Sequence, residues 1–136
     1  VLNAYGPTEA TVCTTLYEVN HEIKEESSNI PIGKPIANSK VFVVSPFNTL
    51  CPSGVVGELF IGGDGVAKGY INQKKKTEEA FISFEKSYNR NKKIYRTGDL
   101  VRLLPNGNLE FIGRKDNQVK LRGYRIELDE IERALF

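Results

Sequence analysis

From Ile30 onward the apolar residues fall in short runs broken by Gly, Pro and Asn, the pattern of strands joined by tight turns. The stretches 40–45 (Lys-Val-Phe-Val-Val-Ser) and 57–62 (Gly-Glu-Leu-Phe-Ile-Gly) are rich in β-branched and aromatic residues, which suit a pleated, half-buried surface. Both are predicted strands, and the second follows a turn-rich segment at 52–56. Residues 99–104 and 109–112 flank Pro105-Asn106-Gly107-Asn108. The Asn-Gly pair supplies the positive backbone angles of a hairpin.

The pattern changes twice. Residues 72–82 carry Lys74, Lys75, Lys76, Glu78 and Glu79 before Ala80, Phe81 and Ile82, which predicts a short surface helix. After Arg114, residues 118–122 alternate as a strand, Gly123 allows a turn and 124–126 resume extended. Leu128, Ile131, Ala134 and Leu135 then recur at helical spacing, without a stop signal before Phe136. Residues 1–5 read as the end of a buried strand whose sheet partners lie outside the chain. With no methionine, even at position 1, these features lead to the expectation of a piece of a longer protein.

Composition narrows the class. Among 136 residues, 40% are hydrophobic and 26% charged, so an ordinary core is possible and disorder or a disulfide scaffold is excluded. Nineteen Lys and Arg against seventeen Asp and Glu leave a charge of +2, too small and too evenly spread for a dedicated polyanion binder. Nucleic acid is not an expected partner. Cys13, Cys51 and the single His21 lack metal-ligand spacing, and buried reduced thiols in a cytoplasmic protein are expected. No apolar run is long enough for a membrane span, and no signal peptide is evident.

Several clusters carry candidate chemistry. Tyr5-Gly6-Pro7-Thr8-Glu9 combines an aromatic face, a stiff turn, a hydroxyl and a carboxylate. It can stack a flat ring, hold a phosphate oxygen and place Glu9 on a hard cation such as magnesium. Taken alone, it fits better a Gly-Pro turn with Thr8 and Glu9 capping a helix. Gly62-Gly63-Asp64-Gly65 with Gly69 has no Lys-Ser/Thr partner and reads as tight turns. Asp99, after Thr97-Gly98, can accept hydrogen bonds from vicinal sugar hydroxyls or act as a turn aspartate. Gly113-Arg114-Lys115-Asp116 is a hinge candidate or a plain charged linker. Lys120, Arg122 and Arg125 need only a solvated strand face.

Taken in order, residues 3–9 (Asn-Ala-Tyr-Gly-Pro-Thr-Glu), 57–70, 95–99 (Tyr-Arg-Thr-Gly-Asp) and 113–127 resemble successive motifs of the amino-acid adenylation domains of nonribosomal peptide synthetases. These belong to the acyl-adenylate-forming superfamily, and the resemblance covers nearly the whole chain. The proline of Gly-Pro-Thr-Glu favours the peptide-synthetase branch over acyl-CoA synthetases and luciferases. The resemblance implies ATP-dependent activation of an amino acid as aminoacyl-AMP, then transfer to the phosphopantetheine thiol of a peptidyl carrier domain, with other synthetase domains as neighbours. It implies that Asn3 and the Ala4 backbone meet the adenine edge and Tyr5 stacks on the ring, with Gly6 in the same nucleotide-binding motif. Thr8 contacts the α-phosphate and Glu9 binds magnesium. Asp99 holds the ribose hydroxyls with Arg114 nearby, and Asp116 is the hinge. Gly123 lies toward the carrier arm, and Ala4, Val12 and Cys13 line the amino-acid pocket. Phe111 departs from the family pattern, where a tyrosine often reaches the ribose.

The implied fold class is α+β, mainly β. A distorted β-barrel subdomain (about 30–112) lies within a C-terminal part of the large subdomain at 1–113. A hinge at 114–117 and the start of a small C-terminal α+β subdomain at 118–136 follow. The family's Ser/Thr/Gly-rich phosphate loop and catalytic lysine find no counterpart here, so the chain alone is expected to be inactive. The rival readings are a non-catalytic β-rich scaffold or carrier-docking module, and part of an acyl-CoA ligase.

Overall fold

A computed structural model describes residues 1–19, 29–84, 93–116, 118–121, 124–126 and 128–135. Strand β1 (Leu2–Tyr5) pairs antiparallel with β2 (Thr15–Glu18), and β2 pairs with the short β3 (Lys34–Pro35). The main sheet contains β4 (Ser39–Val44), β5 (Val56–Gly63), β6 (Phe81–Ile82), β7 (Ile94–Leu103) and β8 (Leu109–Arg114). Its path is β4-β5-β7-β6, with β8 also paired to β7. A third, two-stranded sheet joins β9 (Val119–Leu121) to β10 (Tyr124–Ile126). Helix α1 (Lys74–Ala80) precedes β6, and α2 (Leu128–Leu135) follows β10.

Successive side chains on a strand point to opposite sides, and along β5 both faces of the main sheet are covered. Val43, Leu59, Ile61, Val101 and Leu109 belong to one apolar cluster with Tyr5, Ala10 and Ile32. Val44, Phe60, Phe84 and Ile94 form the other. Fully burying one such side chain contributes roughly 1.5–3 kcal/mol, so β5, whose Leu59, Phe60 and Ile61 alternate between the clusters, is the central support. Phe84 packs edge-on against Phe42 and Phe60, with ring centroids 5.5 Å apart in each pair.

Several expectations are corrected. β1 has sheet partners within the chain, and its Leu2 and Ala4 are exposed; only Tyr5 of this strand is buried. The sequence pattern missed β2 (Thr-Leu-Tyr-Glu), whose four residues carry only a short apolar signal, and β3, which is no more than Lys34–Pro35. Helix α1 ends before Phe81, since Phe81 and Ile82 are recruited by Tyr95 and Ile94 of β7. Asp99 lies inside β7, not in a turn before a strand. The hairpin between β7 and β8 closes through the Gly107 N–H to the Leu104 carbonyl at 2.9 Å. Of the Asn-Gly pair only Gly107 takes a positive φ, +80°, which fits a three-residue loop ending in a left-handed residue.

A closed barrel is not found among the described residues, where the main sheet is open. The approach to closure is local: the Ile32 N–H donates to the Leu109 carbonyl and the Leu109 N–H to the Gly33 carbonyl, each at 2.8 Å. Among the described residues no helix is long and apolar enough to cross a membrane. Cys13 and Cys51 are free thiols and half-buried, not buried.

Candidate functional site

β1 delivers Tyr5 into the core, and the strand alternation puts Asn3 on the same side while Ala4 is exposed. The Asn3 side-chain amide donates to the Pro31 carbonyl at 2.8 Å, which ties β1 to the segment leading into β3. The Tyr5 ring lies 6.5 Å from the Phe111 ring. Phe111, lacking a hydroxyl, thus serves as packing beside Tyr5.

Beyond Gly6, Pro7 is extended (φ −81°, ψ 160°) and the chain makes one 3-10 turn at Thr8–Ala10. Neither Thr8 nor Glu9 caps a helix; both lie within the turn. Thr8 is exposed, whereas Glu9 is buried, and a Glu9 carboxylate oxygen accepts a 2.7 Å hydrogen bond from the Tyr70 hydroxyl. The glycine-rich segment supports this turn from below. The Ala67 N–H donates to the Glu9 carbonyl at 2.8 Å, and the Thr11 hydroxyl donates to the Gly65 carbonyl at 2.7 Å. Gly62 and Gly63 are the end of β5 and not a turn; the turn at Asp64 and Gly65 that follows seats the acidic turn.

Thr11 and Val12 follow with φ of +58° and +67°, a conformation that is costly for β-branched residues. Val12 is 77% exposed, and Cys13 is half-buried with its thiol 3.7 Å from the Thr15 carbonyl. Of the expected pocket residues, Ala4 and Val12 thus present open faces and Cys13 a partly covered one.

The densest polar arrangement centres on Asp99. Its carboxylate is buried, and its Oδ2 accepts the Tyr5 hydroxyl, 94 residues away in sequence. Its Oδ1 accepts Arg114 Nη1 at 2.6 Å. Arg114 Nε and Nη2 each donate to Asp116 at 2.6 Å, forming a fork on both carboxylate oxygens. Thr97 orders the backbone below, donating to the Leu59 carbonyl at 2.8 Å and accepting the Asp99 N–H at 2.9 Å. Burial, with the Asp99 carboxylate second, pushes the Tyr5 hydroxyl far above the ordinary tyrosine range. The Arg114 fork holds Asp116 below the usual carboxylate range, and the same bonds raise Arg114 further. Tyr5, Asp99, Arg114 and Asp116 are therefore one connected set of fixed charge.

Beside this set lies an open cleft of about 1130 Å³ between α1, the 95–98 part of β7, residues 114–116 and Gln118. Its charged lining mixes basic residues, among them Lys74, Lys75 and Lys76, with the acidic Glu58, Glu79 and Asp116, and Lys115 and Arg96 both reach Glu58, at 3.4 and 3.3 Å. Tyr70 closes one end. The sequence reading missed Tyr70 and Thr97 as site supports; the available signal was their place in the motifs, Tyr70 at the end of 57–70 and Thr97 in the middle of 95–99. Gly123 and His21 lie outside the described residues.

Among the described residues no group of three His, Cys, Asp or Glu could hold a metal. A magnesium ion does not require one, because it commonly binds through one or two carboxylates, waters and substrate phosphates. Glu9, a buried carboxylate beside the exposed Thr8 hydroxyl, fits that pattern.

The model of the AMP-binding enzyme family matches residues 1–71. Bacitracin synthase 2 of Bacillus licheniformis is 53% identical over 135 residues, 99% of this chain and 5% of the relative. Malpibaldin synthetase of Mortierella alpina is 49% identical over 135 residues, 99% of this chain and 2% of its own length. A solved NRPS protein containing adenylation and PCP domains superposes with a TM-score of 0.88 at 38% identity, over 98% of this chain and 27% of that one. The chain thus spans a small part of each relative. It belongs to the AMP-binding enzyme family, and its similarity there is to nonribosomal peptide synthetases.

Proposed function

We propose that this chain forms part of an adenylation domain that activates an amino acid with ATP and passes it to a carrier domain. The observation that carries the reading is the Tyr5-Asp99-Arg114 set, in which three separate sequence motifs meet at one buried carboxylate. A charged acceptor placed where these three motifs meet supports a site that recognises sugar hydroxyls.

In the first half-reaction an amino-acid carboxylate oxygen attacks the α-phosphorus of ATP. The bond from that phosphorus to the bridging oxygen breaks, leaving aminoacyl-AMP and pyrophosphate. Asn3, the Ala4 backbone, Tyr5 and Gly6 hold the adenine, Asp99 accepts the ribose hydroxyls with Arg114 beside it, and Thr8 orients the α-phosphate. Magnesium, held by Glu9 and the phosphates, would offset the charge developing on the phosphate oxygens. Tyr70 fixes the Glu9 carboxylate by its hydrogen bond. Ala4, Val12 and Cys13 contribute small apolar walls to the amino-acid pocket. In the second half-reaction the phosphopantetheine thiol loses its proton and attacks the acyl carbonyl, forming a thioester and releasing AMP. Asp116 is the hinge at 114–117 between a large subdomain at 1–113, with its distorted barrel at about 30–112, and a small one at 118–136. Gly123 lies on the carrier side.

The chain alone is inactive in this reading, because the phosphate loop and catalytic lysine of the family have no counterpart in it. The adenylation and PCP domains of the solved relative support the carrier as partner. The free thiols of Cys13 and Cys51 and the class of reaction support a cytoplasmic location in this reading. Pyrophosphate exchange by the full-length protein tests the function: exchange stimulated by amino acids is expected. Exchange stimulated only by fatty or aryl acids would favour an acyl-CoA ligase, and none with any acid would favour a scaffold.

A further inference from the structure

Arg114 serves two carboxylates at once. Nη1 is on Asp99 inside β7, while Nε and Nη2 grip Asp116, each at 2.6 Å. The arginine side chain is 13% exposed, Asp99 4% and Asp116 51%. One end of the arrangement is therefore buried and the other opens to solvent. We propose that Arg114 is a latch that couples occupation of the sugar-binding carboxylate Asp99 to the conformation of the backbone at Asp116. The proposal rests on the nucleotide reading above and adds a link within that site.

Three observations support a shared latch over two independent ion pairs. A guanidinium is planar and rigid, so its fork on Asp116 and its single bond to Asp99 cannot be reoriented separately. The backbone is fastened at the same place: the Lys115 N–H donates to the Gly98 carbonyl at 2.8 Å, and the Gln118 N–H donates to Asp116 Oδ1 at 3.2 Å. Gly98, at φ +73°, leaves the space the latch occupies. A Cβ there would stand 2.8 Å from Arg114 Nη2 and 3.2 Å from Asp116 Oδ2.

The consequence follows from linkage. When ribose hydroxyls share the Asp99 oxygens, they compete with the Arg114 bond, and the rigid fork transmits that change to Asp116. Reciprocally, removing the Asp116 carboxylate commits Arg114 wholly to Asp99 and makes the sugar a poorer competitor. Adenosine is the suitable probe, since it carries the hydroxyls without phosphate charge that would respond to any nearby carboxylate.

The test is a double-mutant cycle in the full-length protein, read by calorimetric titration with adenosine. Asp116→Ala is expected to weaken adenosine binding at least threefold, and the same change in an Arg114→Lys background to have no effect. Lysine keeps the charge but lacks the fork. A loss below threefold, or an equal loss in both backgrounds, overturns the latch. Failure of wild-type protein to bind adenosine would instead contradict the nucleotide reading. If Arg114→Lys does not fold, amide exchange of wild-type Lys115 decides: saturating adenosine is expected to change its rate at least fivefold, and an unchanged rate overturns the proposal.

Discussion

The main sheet and the β1-to-β2 segment are built on different principles. In the sheet, both faces of β5 are covered, and Leu59, Phe60 and Ile61 are each at most 1% exposed. Residues 1–16 instead insert Tyr5 and Ala10 into that core and leave Leu2, Ala4, Val12 and Leu16 open. They also hold two successive β-branched residues at positive φ. The sheet spends its sequence on packing, while the segment uses the sheet as an anchor to hold Thr8 and Glu9 at an edge. Rigid support beneath an exposed, strained loop is a common way to position reactive groups.

The largest contrast should appear in stability. Leu59→Ala is expected to cost about 3–4 kcal/mol, by lost transfer energy and the cavity left behind. Leu16→Ala, at a residue 37% exposed, should cost about 0.5 kcal/mol. Urea unfolding measures both, and similar losses would erase the distinction between core and anchored segment.

Next in size is the bond that joins the two regions. Tyr5→Phe removes a hydrogen bond to a charged acceptor and should cost about 2 kcal/mol. The folded tyrosine holds its proton more tightly than the unfolded one, so this contribution is complete below the unfolded value near 10. It declines as pH rises from there toward the higher folded value. The stability gap between wild type and Tyr5→Phe should therefore be constant from neutral pH to about 9 and narrow above about pH 10. A gap that widens in alkali would contradict the buried, neutral phenol.

How far the sequence disclosed these regions follows the same division. β4, β5 and the hairpin at Gly107 were legible because their apolar runs and turn residues are local signals. α1 and α2 were legible by their spacing, although α1 loses Phe81 to a strand partner 14 positions away. The motif at 95–99 makes Asp99 a candidate site residue, but its burial within β7 and its partners Tyr5 and Arg114 carry no local signal. Those contacts join residues far apart in the chain, which no local pattern encodes. Tyr70 was missed for the same reason, since its role arises only when the glycine turns fold it onto Glu9.

The smallest effect should come from the strained loop. Val12→Gly removes an exposed side chain at φ +67°. Relief of the left-handed strain exceeds the added chain entropy slightly, so a gain of up to about 1 kcal/mol is expected. Thermal unfolding detects it. A clear loss would mean that the Val12 side chain packs against something that holds the loop.

The central claim is that Asp99 is a sugar-binding carboxylate and not merely a tie between Tyr5 and Arg114. Calorimetric titration of the full-length protein and its Asp99→Asn variant with ATP and 3′-deoxy-ATP tests it directly. Asparagine keeps the size and removes the charge, and charge-assisted bonds are worth roughly 1.5–3 kcal/mol each. ATP should therefore bind the variant at least about tenfold more weakly, and loss of the 3′-hydroxyl should hurt the wild type more than the variant. ATP affinity within twofold of wild type, or losses that simply add, would contradict the account.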